Sequence, residues 1–253
     1  MKIGNHFKSI DLLQKKSPKE LGLELVSVQR IELKKELILD SLEEEICLVV
    51  IGGSVQFKCE NKDGIANFKD MLYVPRRTEL KLHSEGSTLM YYSAPSDIDA
   101  LFTHITFEDI DKNITTHAIA GSPNNNSQRD VWKYIDSDFS CARLMMGICE
   151  SSPGGWTSWP PHEHTEKREE VYVYFNMKNV FGVQCVYDDL DNPYHVAIVR
   201  DGDLISIPKG YHPNVACPAG KMSYIYCMAA RKSGDRDFMD LNIQELYQGN
   251  KFF

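Results

Sequence analysis

Apolar residues recur along this chain in short runs, several alternating with polar ones, and Gly, Pro, Asn or Asp bound most of the runs. The clearest are LELVSVQRIEL (23–33), ICLVVIGGSVQFKC (46–59), MLYVP (71–75), LMYYSA (89–94), ARLMMGICE (142–150), VYVYF (171–175), FGVQCVY (181–187), HVAIV (195–199), LISIP (204–208) and MSYIYCMAA (222–230). Val, Ile and Tyr dominate them, which favours the pleated, half-buried surface of a strand. Helical periodicity is weak and confined to residues 17–21 and 240–247. Strands at this spacing, without long helices between them, predict an all-β sandwich or barrel rather than βαβ units. The polar, turn-rich GSPNNNSQR (121–129) is the best linker.

The two halves repeat one order of elements. Glu45-Ile-Cys-Leu-Val-Val50 resembles Glu170-Val-Tyr-Val-Tyr-Phe175. Further on, Tyr73-Val-Pro-Arg-Arg77 resembles Ser206-Ile-Pro-Lys-Gly210, and Met90-Tyr-Tyr-Ser-Ala94 resembles Tyr226-Cys-Met-Ala-Ala230. Three matches in register predict a duplicated β-barrel unit.

Composition narrows the function. The 253 residues carry a net charge of −8 with Lys and Arg scattered, which argues against nucleic acid and anionic membranes as partners. A small anionic ligand stays open, because one or two local cations suffice to bind it. No window approaches the ~20 apolar residues of a membrane span, and MKIGNHFKSIDLLQKKS lacks the apolar centre of a signal peptide. A cytoplasmic protein is expected. Seven Cys without a CxxC pair read as reduced thiols, with Cys47, Cys141, Cys149, Cys185 and Cys227 in apolar runs.

The chemistry concentrates in HEHTEKREE (162–170). On an extended segment His162 and His164 point to one face, roughly 7 Å apart along the chain, and converge on one cation. Glu170 opens a strand after a short charged turn, at hairpin distance. His212, in IPKGYHPNV, supplies a donor from another strand. Three His and one Glu suit Zn, Fe, Mn or Ni, and not Ca or Mg. The first half has no HxH before Glu45, and Glu79 stands where an equivalent of His212 would fall. Glu45 is therefore expected to be a solvated or structural carboxylate, and the first half a scaffold without metal.

HEHTEKREE with the distal GYHP (210–213) resembles the cupin metal motif. A longer set resembles the two-cupin family of 5-deoxy-glucuronate isomerase: NNNSQRDV (124–131), PGGWTSWPPHEH (153–164), EEVYVYF (169–175), FGVQCVY (181–187), DGDLISIPKGYHPNVACPAG (201–220) and CMAA (227–230). The five residues between His164 and Glu170, and REEVYVYF itself, instead resemble the sister 4-deoxy-L-threo-5-hexosulose-uronate ketol-isomerase of pectin breakdown.

The resemblance implies a bicupin of two double-stranded β-helix (jelly-roll) barrels. Residues 1–120 would form a degenerate N-terminal cupin without metal, and residues 121–253 the catalytic one with one divalent transition metal. Zinc is the first expectation; Mn, Fe and Ni are alternatives. The implied activity is the aldose–ketose isomerisation of 5-deoxy-glucuronate to 5-dehydro-2-deoxy-gluconate in myo-inositol catabolism. The sister activity, an iron-dependent dioxygenase and a non-catalytic sugar-binding bicupin are the other readings. The general base is sought among Glu163, Glu169, Tyr172, Tyr174 and Tyr211, and the catalytic set is taken as Glu170, Tyr174 and Tyr211. Arg129 is the preferred clamp for the substrate carboxylate, since a guanidinium binds it at two points, and Lys209 is the alternate. Gln184 and Tyr187 are placed on substrate hydroxyls, and Trp156 and Trp159 on the pocket wall. The partner implied is a small anionic sugar acid; a homo-oligomer is left open.

Overall fold

The computed structural model describes residues 5–250. In the first half a five-stranded antiparallel sheet has the order Thr103–Ile105, Met71–Val74, Glu44–Gly52, Ser87–Pro95, Ser27–Leu33. It faces a four-stranded sheet in the order Glu36–Asp40, Glu79–His83, Val55–Cys59, Lys62–Ala66. In the second half a seven-stranded sheet runs His6–Phe7, Leu204–Ile207, Arg168–Tyr174, Ser223–Ala230, Leu144–Ser151, Arg129–Ile135, His117–Ala120. Its companion is a four-stranded sheet in the order Trp156–Thr157, Asn214–Ala216, Gly182–Val186, His195–Val199. Two edge strands of the seven-stranded sheet, His6–Phe7 and His117–Ala120, come from before residue 121, so sheet membership does not follow a division of the chain at 120/121.

The runs ICLVV and VYVYF are continuously apolar because both faces of their strands are buried. Ile46, Leu48 and Val50 fill the first barrel, while Cys47 and Val49 enter a core shared by both halves. Likewise Tyr172 and Tyr174 point into the second barrel, and Val171 and Val173 into the shared core. The two large sheets thus pack back to back, and each barrel interior lies on the far side.

Ladder register corrects the alignment of the halves. Cys47 and Val49 share the inter-barrel core with Val171 and Val173, so Glu169 is the counterpart of Glu45 and Glu170 that of Ile46, and their partners Ala94 and Ala229 correspond, one residue off the Ala94–Ala230 match. A slip of one residue moves a side chain to the opposite face. Glu45 is accordingly buried and structural. Its carboxylate accepts the backbone N–H groups of Ala142, Arg143 and Leu144 at 2.7–2.8 Å and the Tyr73 hydroxyl at 3.1 Å. Glu169 accepts those of Glu24, Leu25 and Val26, each at 2.8 Å. Each carboxylate thereby grips the segment leading into a strand of the other half.

The helix expected near 17–21 is one turn, Pro18–Leu21, capped by Ser17 and Glu20. The one expected over 240–247 does not form. Asn242–Ile243 pairs as a strand with His162–Glu163, Asn242 Nδ2 donates to Glu163 at 2.6 Å, and a 3-10 turn follows at Glu245–Tyr247. Cross-chain bonds there outcompete a helix too short to stabilise itself. Among the described residues no helix is long and apolar enough to cross a membrane. All seven Cys are free thiols, five of them buried.

Candidate metal centre

His162 and His164 come from the His162–Glu163 strand and the residue just beyond it, and His212 from the turn before Asn214–Ala216. All three are buried, and one ring nitrogen from each lies within 4.8 Å of the others. Glu170 stands beside them, with Oε2 3.1 Å from His164 Nε2 and 3.2 Å from His212 Nε2.

Backbone carbonyls set the tautomers. His162 Nδ1 lies 2.9 Å from Pro160 O, His164 Nδ1 3.3 Å from Arg168 O, and His212 Nδ1 2.8 Å from Gly210 O. A carbonyl oxygen only accepts, so in the neutral rings the proton belongs on Nδ1 and each Nε2 lone pair is left for the centre. The contact of His212 Nε2 with Glu170 is within ion-pair distance but is not aligned as a hydrogen bond. Burial and the neighbouring imidazoles push the His162 pKa well below its ordinary value, and burial lowers that of His164. Burial opposes ionisation of Glu170, and the carboxyl is held below its usual range only while His164 and His212 present a proton to it on Nε2, a role that a bound cation takes over when those nitrogens are lone-pair donors. Acceptor atoms therefore face one another in a water-poor site. A cation is the partner that satisfies them, and imidazole donors suit a transition metal. The triad can hold such an ion.

The centre opens into a narrow cavity lined by Arg129, Val131, Cys149, Ser158, Tyr172, Tyr224, Tyr226, Met228, Phe238 and Leu241 with His162, His164 and Glu170. Ladder pairs order part of this wall. Glu170 is opposite Met228, Tyr172 opposite Tyr226, Tyr174 opposite Tyr224, and Val131 opposite Cys149. Gly147, opposite Tyr226, leaves the space that phenol occupies. Burial pushes the pKa values of Tyr172, Tyr224 and Tyr226 well up, so these phenols stay protonated.

Arg129 is buried, and its guanidinium donates to Ser127 O at 3.0 Å and Trp159 O at 2.8 Å. Trp159 O is one residue from the carbonyl that orients His162, so the guanidinium and the metal triad are tied to adjacent peptide groups. The other expected site residues lie off the cavity wall. Tyr174 donates to Gln184 Oε1 at 2.6 Å, and Gln184 Nε2 donates to His212 O at 2.8 Å, so this pair braces the turn carrying His212. Tyr187 donates to Gln244, and Tyr211 packs at a tilt against Tyr187 with ring centroids 5.7 Å apart. Lys209 is held by Asp188 at 3.2 Å and the Tyr194 hydroxyl at 2.7 Å. Glu163 accepts from Thr165 N and Asn242, and Trp156 and Trp159 pack on each other. Sequence reasoning missed Tyr224, Tyr226, Phe238 and Leu241 as wall residues; Tyr172 was among the sequence candidates and does line the cavity, two residues from Glu170 on the same strand face.

Comparison with known proteins agrees with this architecture. The model of the KduI/IolB family matches residues 4–245. A 5-deoxy-glucuronate isomerase of Halalkalibacterium halodurans is 29% identical over 86% of this chain and 86% of its own. A 4-deoxy-L-threo-5-hexosulose-uronate ketol-isomerase of the same organism is 25% identical over 85% of this chain and 76% of its own. Among solved structures, an IolB-like protein of Salmonella typhimurium superimposes with a TM-score of 0.80 at 24% identity, covering 93% of both chains. Bacillus subtilis oxalate decarboxylase gives 0.63 at 12% identity, covering 94% of this chain and 78% of its own. The fold is thus the bicupin expected from the sequence.

Proposed function

The chain belongs to the KduI/IolB family, and from that premise we propose that it is a metal-dependent aldose–ketose isomerase acting on 5-deoxy-glucuronate. The observation that carries this reading is one cavity lined both by His162, His164 and Glu170 of the metal centre and by the buried Arg129, with His212 completing the triad behind the wall. A sugar acid has a carbonyl end and a carboxylate end, and the cavity offers a partner for each. Glu170 completes the donor set. Zinc is the first choice of ion, with Mn, Fe or Ni as alternatives; when bound it supplies Lewis acidity beside the substrate carbonyl.

The reaction breaks the C2–H bond and forms a C1–H bond through an enediol, while the proton on O2 passes to O1. No co-reactant is consumed. Arg129 fixes the carboxylate, and so which carbons reach the triad. Glu170 is the carboxylate in the wall and is held ionised; Tyr172 and Tyr226 are protonated donors for substrate oxygens.

Val131 and Cys149, opposite one another two residues from the Arg129–Ser151 pair, make the wall beside the guanidinium apolar. That wall suits the methylene which 5-deoxy-glucuronate carries next to its carboxylate. The ketol-isomerase substrate has a carbonyl there, and burying it beside Val131 would leave an acceptor unpaired. The similarity to proteins of both names keeps the sister substrate as the second reading.

Losing a charge-assisted pair in a buried pocket costs about 2–3 kcal/mol, so Arg129→Ala is expected to lower kcat/KM roughly 30- to 150-fold on 5-deoxy-glucuronate. Metal content should not change, and Lys should restore only part of the loss, being a point charge. Steady-state kinetics on both deoxy-uronates checks this. Near-normal kcat/KM for the Ala variant would place the carboxylate elsewhere.

A further inference from the structure

The segment from Arg236 to Tyr247 supplies two cavity walls, Phe238 and Leu241, and it is fastened to the strands that carry the metal-site residues. Arg168 is the main fastening. It is buried, its Nη1 donates to Asp237 O, and its Nη2 donates to Asp240 O and, at 3.4 Å, to Phe238 O. Its position is indexed to the centre: Arg168 lies two residues before Glu170 on the same strand face, and its own carbonyl faces His164 Nδ1. Lys167 pairs with Asp240 at 2.8 Å, Ile243 pairs with His162, and Gln244 N donates to Pro161 O at 2.9 Å. Phe238 meets Tyr226 edge-on, with centroids 5.9 Å apart. A segment needing only attachment could be held by an apolar contact. Burying a guanidinium against backbone carbonyls costs desolvation and gives in return a fixed position.

We propose that this C-terminal strap is a working wall of the active site: Phe238 and Leu241 keep water from the reacting carbons, and Arg168 is the positioning residue that holds them there. This rests on the isomerase reading. In that reaction the base delivers to C1 the proton taken from C2, or a solvent proton in its place if exchange comes first. Water reaching the base first exchanges it, so the yield of exchange reports how well the site is closed.

The test uses the metal-loaded full chain in D2O, with deuterium at C1 of the ketose measured by mass spectrometry at low conversion. The wild type is expected to incorporate much less than one deuterium per turnover. Phe238→Ala and Leu241→Ala should each raise incorporation by about threefold or more, with unchanged metal content. Arg168→Lys should do the same, because an ammonium cannot reach the same three carbonyls. Phe238→Leu, which keeps an apolar side chain there, should stay near wild type. If Arg168→Lys does not fold, the strap variants decide alone. A full deuterium per turnover in the wild type, or wild-type incorporation in both Ala variants, overturns the proposal. A wild type that converts neither deoxy-uronate is a different result: it refutes the isomerase reading, and the strap inference falls with it.

Discussion

His212→Ala is expected to purify with less than about a tenth of an equivalent of metal and to lose kcat by roughly 10³-fold or more. The site is buried, and its remaining donors would be two imidazoles and one carboxylate facing a void. Folding should survive. The bond from Gln184 goes to the His212 carbonyl, which Ala retains, and the imidazole otherwise meets Gly210 O, the donor set and the edge of the Tyr172 ring. His162→Ala and His164→Ala should behave alike, since their Nδ1 groups also face backbone carbonyls. Elemental analysis with kinetics on one sample separates these variants from Arg129→Ala, which keeps its metal. A full equivalent of metal in His212→Ala would remove His212 from the donor set.

The second large effect is on stability. Glu45→Gln should destabilise the protein by about 3 kcal/mol, because an amide NH2 replaces one oxygen and meets N–H groups that then lack an acceptor. Oε1 accepts from Arg143 and Leu144, and Oε2 from Ala142 and Tyr73, so neither flip of the amide avoids the conflict. For a chain of this size the melting temperature should fall by roughly 6–12 °C. Glu169→Gln should cost a similar amount, since it grips the mirror-related segment 24–26. Denaturant unfolding checks both. A loss under about 1 kcal/mol in each would mean that the clamps are not what joins the halves.

The metal triad was legible because its donors sit close in sequence on one HxH strand with a single distant partner, and alternation alone puts His162 and His164 on one side. Arg129 was singled out from the sequence because a guanidinium can bind a carboxylate at two points, and the structure places it on the cavity wall. Tyr224, Tyr226, Phe238 and Leu241 were not, since they reach the cavity through ladder register and through a C-terminal segment whose weak periodicity over 240–247 reads as a helix. Gln184 and Tyr174 show a different limit. Both do point into the barrel, but its interior has depth, and they lie beside Asn214 and Tyr224, off the cavity wall. The repeat was visible while its register was not. Glu45 and Glu170 each begin an apolar run, and only the core that Cys47 and Val49 share with Val171 and Val173 shows that Glu169 is the true counterpart. Strands such as Glu36–Asp40 and Glu79–His83 escaped notice because one face is exposed and charged, which shortens their apolar signal.

The most direct measurement is to follow 5-deoxy-glucuronate by proton NMR in the presence of the metal-loaded protein. The aldehyde signal should decay as the hydroxymethyl signal of the ketose grows, stop when a chelator strips the metal, and resume when one equivalent is restored. A protein that holds one equivalent of metal on His162, His164 and His212, yet converts neither 5-deoxy-glucuronate nor the ketol-isomerase substrate, would contradict the account.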